Sequence, residues 1–299
     1  MNPARLRAYL LLLLASVIWG VAGPVIKLVL GEIPPLPFLA YRFGLSSIVA
    51  LIYILATKFR HIPRNPKILL FVLVYAFLNS TVALGLLFLG LDKTTVLDMS
   101  LISLFGPLLI SIAGVALLQE RITKREKLGI AIAFLGTAFT IIEPLITNGD
   151  GITRLSGNLL IFGNLAVNTA VVVMAKKLLR DEVSPIFLTN ASFIVGFITI
   201  TPLVLVQSGL AQTIGAITSL SPAGHAGVVY MALASGTLAY AFWTLAQKTI
   251  EVSEASLFAY LYPIWATPLA VLWLGETITP GFIIGATIIA IGVALAERK

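Results

Sequence analysis

The second half of this 299-residue chain repeats the spacing of uncommon residues in the first half. Residues 96–138 match residues 252–294 at a constant offset of 156 positions. The matched pairs are Pro107 with Pro263, Glu120 with Glu276, Gly129 with Gly285, and Gly136 with Gly292. Upstream, Lys27 matches Lys177 at an offset of 150 and Ser80 matches Ser235 at 155. Chance pairing of common residues would not hold one offset, so the pattern predicts a duplicated unit of five helices, at 1–146 and 147–299.

The composition excludes an ordinary soluble fold. Hydrophobic residues make up 59% of the chain and charged residues 11%, against about 45–50% and about 25% in soluble domains. A helix needs about 20 mostly apolar residues to cross a bilayer. Ten segments meet this need, at about 8–30, 36–57, 67–91, 95–118, 127–146, 156–178, 185–207, 225–247, 252–274 and 281–297. The fold class predicted is therefore an all-α membrane protein with ten transmembrane helices.

The N-terminal span and the absence of cysteine further restrict the kind of membrane protein that the sequence can form. The first span follows Arg5 and Arg7 like a signal peptide, but its apolar stretch exceeds the roughly 7–15 residues of a signal's core, so we expect it to stay as an anchor. The chain has no cysteine, which excludes disulfides and thiolate metal sites. We expect no metal and no other cofactor.

The distribution of Lys and Arg predicts the orientation. Sixteen of the twenty basic residues fall on one side if both termini are cytoplasmic, and only Lys27, Lys93 and Arg154 lie toward the other side. Cytoplasmic loops carry an excess of Lys and Arg, so we expect a plasma (inner) membrane protein with both termini in the cytoplasm and the 207–224 loop outside. This bias also accounts for the net charge of +7 without a nucleic-acid partner.

Equivalent loops of the two halves carry opposite charge. The connection after the second span has four basic residues and the one after the seventh span has none. The connection after the fourth span also has four, and the one after the ninth has none. An odd number of helices per repeat inserts the halves in opposite orientations. Inverted repeats of this kind build many secondary transporters, which bind solute near the midplane between the repeats.

The chain resembles the EamA-type branch of the drug/metabolite transporter superfamily over essentially its whole length. The resemblance rests on the run 236–243 (GTLAYAFW), on Tyr262-Pro263, on Gly275-Glu276 and, in the first half, on Tyr41-Arg42-Phe43 and Gly106-Pro107. It implies a ten-helix, five-plus-five fold that moves small organic solutes, often outward. The first half has Gln119-Glu120 where the family usually has Gly-Glu.

Pro107 and Pro263 are predicted to be hinges. Each lies near the middle of its span, where proline removes a backbone donor and disrupts the preceding turn. Freed carbonyls are tolerated in a membrane where protein or a water-lined cavity satisfies them. We expect kinks that face a cavity, with a purely structural bend as the alternative.

Glu120 and Glu276 are predicted to hold turns. Each ends a span and precedes a helix that begins at Thr123 or Thr279. Thr123 and Glu126 form a capping-box pattern, and Pro280 suits a first helical position. We expect the two glutamates to reach the free amides of the helix that follows, with proton coupling as the alternative. Gly129, Gly136, Gly285 and Gly292, spaced by seven in two spans, predict close helix contact.

Polar and aromatic residues deep in the spans are the candidates for solute binding, because lipid rejects polar groups. They are Trp19, Asn79, Asn164, Asn168, Tyr240, Tyr260 and Trp265. The asparagines have an alternative role as hydrogen bonds between helices, at about 0.6 kcal/mol each. Asp98 begins a span, where the helix dipole stabilises it.

Arg42 lies about two turns inside one end of the second span. A membrane arginine is a functional candidate, here for binding a carboxylate. It also has two structural alternatives, which are snorkelling outward and binding backbone carbonyls of a neighbouring helix.

These features predict the cargo class. The spans hold no pair of carboxylates at mid-membrane, so no proton relay is apparent. Phosphorylated solutes would require convergent Lys and Arg, so neutral or zwitterionic solutes, amino acids above all, fit better. Amines and nucleosides stay open, as does a lipid scramblase or structural protein of the same fold. The expected partners are a small-molecule solute and the bilayer; a homodimer is compatible with the sequence but not required.

An enzyme is not expected, because His61 and His225 have no neighbouring histidine or cysteine and the sequence lacks the G-x-S-x-G nucleophile motif.

Overall fold

The computed structural model describes residues 3–57, 61–118, 123–146, 151–246, 249–250, 255 and 257–297, and within them the chain is helical without strands. We number its helices α1 to α10. They are α1 Pro3–Leu30, α2 Pro35–Ala56, α3 Pro66–Lys93, α4 Val96–Leu118 with a break at 104–105, α5 Lys124–Ile142, α6 Gly151–Arg180, α7 Pro185–Thr218, α8 Pro222–Ala246, α9 Leu257–Leu274 and α10 Pro280–Glu297.

Within the described ranges, nine helices are long and apolar enough to cross a membrane, and the shorter apolar stretch Pro280–Ala296 follows them. Large apolar side chains cover the outside of the bundle, among them Leu272 at 77% and Val206 at 89% exposure. A soluble protein could not leave so many of them in water. The chain is an integral membrane protein.

The predicted loop at 207–224 is wrong for most of its length. Helix α7 continues to Thr218, and it turns at Gly209, whose φ is +75°. Glycine adopts positive φ at no steric cost, so the apolar helix resumes in a new direction. Only 219–221 separate α7 from α8.

Two helices contain π-helical segments where regular helix was predicted. The segments are Phe77–Ala83 in α3 and Tyr230–Leu238 in α8. They include Ser80 and Ser235, the pair that the repeat matches. Hydrogen bonds in such segments span five residues, and they occur frequently at functional sites.

The predicted mid-helix kinks are instead breaks between helical segments. In α4 the first segment ends at Ser103 and the second begins at Gly106, so Pro107 lies in its first turn. In α9 a 3-10 turn, Leu257–Leu261, precedes the helix that begins at Tyr262, so Pro263 also lies in a first turn. Amides there have no intrahelical partner, so proline removes no hydrogen bond. Pro24, Pro202 and Pro268 are the prolines inside helices.

Helices α5 and α10 form an extensive interface, as the glycine spacing predicted. A Cβ atom at Gly129 would meet the backbone of Ala296, and one at Gly292 would meet the backbone of Ala133. The glycines therefore let the two backbones touch, and their predicted scaffold role is confirmed.

The remaining contacts follow a regular scheme. Helix α2 packs along α7, α1 packs on α8 and α9, and α6 packs on α3 and α4. At one end of the bundle α1, α3, α5 and α9 end beside the starts of α4, α6 and α10, where Glu276 joins α9 to α4. We call this end the Glu276 face and the opposite end the termini face.

The predicted helix caps are confirmed. Thr123 and Glu126 form a capping box at the start of α5. The Thr279 hydroxyl accepts a hydrogen bond from the Phe282 amide (3.0 Å) at the start of α10, where Pro280 is the first helical residue. Helix α5 ends at Ile142, and a 3-10 turn at Glu143–Leu145 follows it.

Candidate functional site

Three aromatic side chains from two helices, α8 and α9, surround Trp19 of α1. The Trp19 ring centre lies 5.1 Å from that of Tyr240, 5.3 Å from that of Trp243 and 6.3 Å from that of Tyr262. Edge-to-face contacts at these distances are favourable. Two of the predicted residues, Trp19 and Tyr240, are thus brought together, while Trp243 and Tyr262 complete this aromatic cluster.

Hydrogen bonds tie α1 to the helices that carry the cluster. The Trp19 indole donates to the Ser235 carbonyl in the π-helical segment of α8 (3.0 Å). The Tyr230 hydroxyl donates to the Ile18 carbonyl (2.7 Å). Each bond joins a side chain to a backbone oxygen.

Trp265 of α9 contacts α1 at residues on either side of Trp19. Its indole donates to the Ser16 hydroxyl (3.3 Å), and a Cβ atom at Gly20 would lie 2.5 Å from the Trp265 Cβ. Gly20 therefore makes room for Trp265, and the indole is half-buried. Tyr260 is also half-buried, in the 3-10 turn that opens α9.

Arg42 is the largest fully buried side chain, at 1% exposure. Its guanidinium carbon lies 5.6 Å from the ring centre of Phe88 and 5.9 Å from that of Phe43. Its Nε and Nη1 atoms have no hydrogen-bond partner. The side chain does not snorkel to a surface, and these two nitrogens do not bind backbone carbonyls, so the structural alternatives do not explain it.

Tyr240 connects the aromatic cluster to Arg42. It interacts electrostatically with Arg42 of α2, with Tyr75 of α3 and with Tyr262 of α9. Tyr75 lies one turn before Asn79, which is buried in the π-helical segment of α3. Arg42 and Tyr75 belong to the first half of the chain and Tyr262 to the second, so both halves contribute groups near Tyr240.

Asn164 belongs to another interface, between α3 and α6. The Asn164 side chain donates to the Ala83 carbonyl (2.7 Å), which is the helix-joining alternative for this residue. Asn168 lies one turn further along α6 and is half-buried. The structure therefore shows the helix-joining role for Asn164, and the predicted roles of Asn79 and Asn168 stay predictions.

Glu276 binds amides of a different helix from the one predicted. Its two carboxylate oxygens accept hydrogen bonds from the Val96 and Leu97 amides, at 2.8 and 2.9 Å. These amides open α4, in the first half, and not α10. An anion suits a helix N-terminus because it complements the free amides and the dipole. Glu120 lies outside the described residues.

Burial raises the pKa of the Glu276 carboxyl, while the two amide bonds and the nearby Lys27 oppose the shift. Lys27 donates to the carbonyls of Leu91 (2.7 Å), Asp92 (3.2 Å) and Thr94 (2.7 Å), where α3 ends. A cation at a helix C-terminus is favourable for the same reason as an anion at the N-terminus.

A second ionic group at the Glu276 face is centred on Arg154 of α6. The guanidinium lies 2.8 Å from the Asp98 carboxylate and 3.8 Å from that of Glu143. Asn158 also donates to Asp98 (3.3 Å). The helix dipole alone was expected to stabilise Asp98, and its ion pair with Arg154 was not. Asp98 and Arg154, with Thr95 and Glu276, line a cavity of about 260 Å³.

Sequence reasoning missed several of these residues. Tyr75, Tyr262 and Arg154 were not singled out for the contacts they make. Trp243 and Tyr262 lie inside two of the quoted motifs, 236–243 and Tyr262-Pro263. Their spacing along α8 and α9 is the sequence signal for both residues. Among the described residues, no cluster of acidic residues and histidines has the form of a metal site.

The comparisons with known proteins cover the whole chain. A family model described as "EamA-like transporter family" matches residues 6–142 and again 155–297. An "Uncharacterized transporter YyaM" of Bacillus subtilis (strain 168) is 27% identical, over 98% of this chain and 94% of that protein. A "Probable amino-acid metabolite efflux pump" of Salmonella typhimurium is 24% identical, over 95% and 92%. A solved crystal structure superimposes with a TM-score of 0.64 at 20% identity, over 97% and 96%, and shares the fold.

Proposed function

We propose that this chain, which belongs to the EamA-like transporter family of the drug/metabolite transporter superfamily, exports small organic solutes across the plasma membrane. The proposed solutes are neutral or zwitterionic. Amino acids or related metabolites are the proposed cargo. The protein is a membrane transporter rather than an enzyme, as its family and the names of its relatives indicate. The proposed mechanism of solute transport is alternating access.

Two inverted five-helix repeats, residues 1–146 and 147–299, are the proposed architecture. The family model matches each half separately. The π-helical segments of α3 and α8 occupy equivalent positions, and α1 packs on α8 and α9 as α6 packs on α3 and α4. This exchange of partners between halves supports the proposal. In the proposed architecture, α1, α3, α6 and α8 surround the region between the repeats. Inverted-repeat transporters bind solute in this region.

The aromatic cluster is the observation that carries the proposed function. Its rings lie on α1, α8 and α9, within 5.1 to 6.3 Å of Trp19. Aromatic faces bind apolar side chains and also attract the ammonium of an amino acid. Trp265, Tyr260, Asn79 and Asn168 are proposed as further lining, and Pro107 and Pro263 as hinges at the breaks in α4 and α9.

The charge of the two faces supports the proposed orientation. Arg5, Arg7, Arg64 and Lys67 lie at helix starts on the termini face. The positive-inside rule then places this face in the cytoplasm. A single cysteine at Arg64 or at Gln212 of this cysteine-free protein, labelled on intact cells with an impermeant reagent, tests it: Gln212→Cys should react and Arg64→Cys should not.

Solute flux into proteoliposomes tests the function. The panel contains amino acids, nucleosides, amines and sugars, with a separate fluorescent-lipid reporter for scrambling. We expect flux of amino acids with apolar side chains, loss of at least about tenfold in Trp19→Ala, and no loss in Trp273→Ala, whose indole is 54% exposed at the outside of the bundle. Lipid movement without solute flux, or equal flux in both variants, would overturn the proposal.

A further inference from the structure

Arg42 carries a positive charge whose partner is not part of the described protein. The side chain is 1% exposed, and its Nε and Nη1 atoms lack hydrogen-bond partners. The ion pairs among the described residues involve Arg154, and no described carboxylate lies within 4.0 Å of the Arg42 guanidinium. A buried charge is strongly unfavourable unless an opposite charge and hydrogen bonds compensate it.

The neighbours of Arg42 compensate only in part. The Phe43 and Phe88 rings lie at 5.9 and 5.6 Å, distances at which aromatic faces attract a cation weakly. They offer no lone pair to Nε or Nη1. Tyr240, which interacts electrostatically with Arg42, links it to the aromatic cluster.

We propose that Arg42 binds the carboxylate of the transported solute, so that the cargo consists of solutes bearing one carboxylate next to an apolar or aromatic body. This inference rests on the proposed function and names the substrate class of its site. The carboxylate fits because guanidinium donors are arranged in a planar fork that two carboxylate oxygens match.

The number of unpaired basic groups limits the charge that the proposed solute can carry. Arg154 and Lys27, two partly buried basic residues, bind protein groups at the Glu276 face. One guanidinium is left for the cargo, which suits one carboxylate rather than a phosphate or dicarboxylate. The aromatic cluster, reached through Tyr240, then binds the apolar part.

Matched solutes that differ only at the carboxyl group test this inference in the full-length protein. The probes are leucine, phenylalanine and tryptophan, each paired with its amide. Binding to purified protein is measured by calorimetry and flux is measured in proteoliposomes. The variants are Arg42→Gln, Arg42→Lys and Arg42→Met, with Ser47→Ala as the matched control on α2, and thermal unfolding checks that each one folds.

We expect the unaltered protein to bind at least one of the acids about tenfold or more tightly than its amide, the scale of a charge-assisted hydrogen bond. Arg42→Gln and Arg42→Met should bind acid and amide equally, Arg42→Lys should keep part of the preference, and Ser47→Ala should keep all of it. If Arg42→Met unfolds, Arg42→Lys and Arg42→Gln still decide the result.

Three outcomes would overturn the inference: equal binding of acids and amides by the unaltered protein, an undiminished preference in Arg42→Gln, and no binding of any acid. Binding with the expected preference but without flux would instead refute the proposed transport and leave the carboxylate site standing. Flux of amides and amines at the rate of acids would support transport and refute the carboxylate site. The failures of the two proposals are therefore distinguishable.

Discussion

The α5–α10 interface and the contacts of α1 with α8 and α9 hold the bundle together in different ways. In the first, backbone meets backbone at Gly129 and Gly292. In the second, ring edges and single hydrogen bonds from Trp19, Tyr230 and Trp265 join the helices, and a Cβ atom at Gly20 would meet the Trp265 side chain. A backbone contact cannot rearrange without separating the helices, whereas side chains can change rotamer. We infer that α5–α10 is the fixed interface and that α1 moves against α8 and α9.

Gly292→Leu should have the largest effect. The added side chain would enter the space of the Ala133 and Gly129 backbones, which cannot give way as a side chain does. Overpacking commonly costs about 1–3 kcal/mol, and we expect more here, with loss of monodisperse protein on size-exclusion chromatography. Gly215→Leu is the control, because a Cβ there meets nothing within 4 Å. Normal folding of Gly292→Leu would contradict the assignment of α5–α10 as the fixed interface.

Arg154→Ala tests whether the fixed interface extends to the Glu276 face. Removing this guanidinium leaves the buried Asp98 and Glu143 carboxylates without their ion pairs. Breaking a buried pair costs about 3–5 kcal/mol, and the 29% exposure of Arg154 reduces this to about 2 kcal/mol. Thermal unfolding measures the loss. Asp98→Asn together with Arg154→Ala should recover part of it, and no recovery would contradict a direct pair.

Trp19→Phe sharpens the account of the mobile interface. Phenylalanine keeps a ring in the aromatic cluster but cannot donate to the Ser235 carbonyl. A lost hydrogen bond of this kind costs about 1 kcal/mol, so unfolding should change little. Solute flux should change more, because the bond orders the cluster. A variant with strongly reduced stability and normal flux would reverse this assignment.

The smallest expected effect is a pH dependence at Glu276. Because burial raises the pKa of this carboxyl, the folded state binds the proton more tightly than the unfolded state. The free energy of unfolding therefore falls as the pH rises from the ordinary carboxyl value through the raised one. Glu276→Gln should flatten this part of the profile in thermal unfolding, at pH values above the ordinary carboxyl pKa of about 4. Parallel profiles for the two proteins would show that burial does not govern this group.

The local features of the fold could be predicted because they depend on nearby residues. Apolar length and composition identified the spans, although α7 runs past its predicted end. The capping box at Thr123 spans four residues, and the glycines of α5 and α10 follow a regular seven-residue spacing. At the candidate site, Trp19, Tyr240 and Arg42 were recognisable because polar and amphipathic groups are out of place in lipid.

The pairing of these residues depended on the tertiary arrangement. Glu276 reaches amides about 180 positions earlier in the chain, Asp98 finds Arg154, and the π-helical segments form where helices of opposite halves meet. Membrane partition acts on each segment by itself, so sequence is enough to predict what crosses the bilayer. Hydrogen bonds and ion pairs act over a few ångströms between helices distant in sequence. Only their assembly determined that Glu276 caps α4, that Asn164 joins α6 to α3, and that Arg42 is left unpaired.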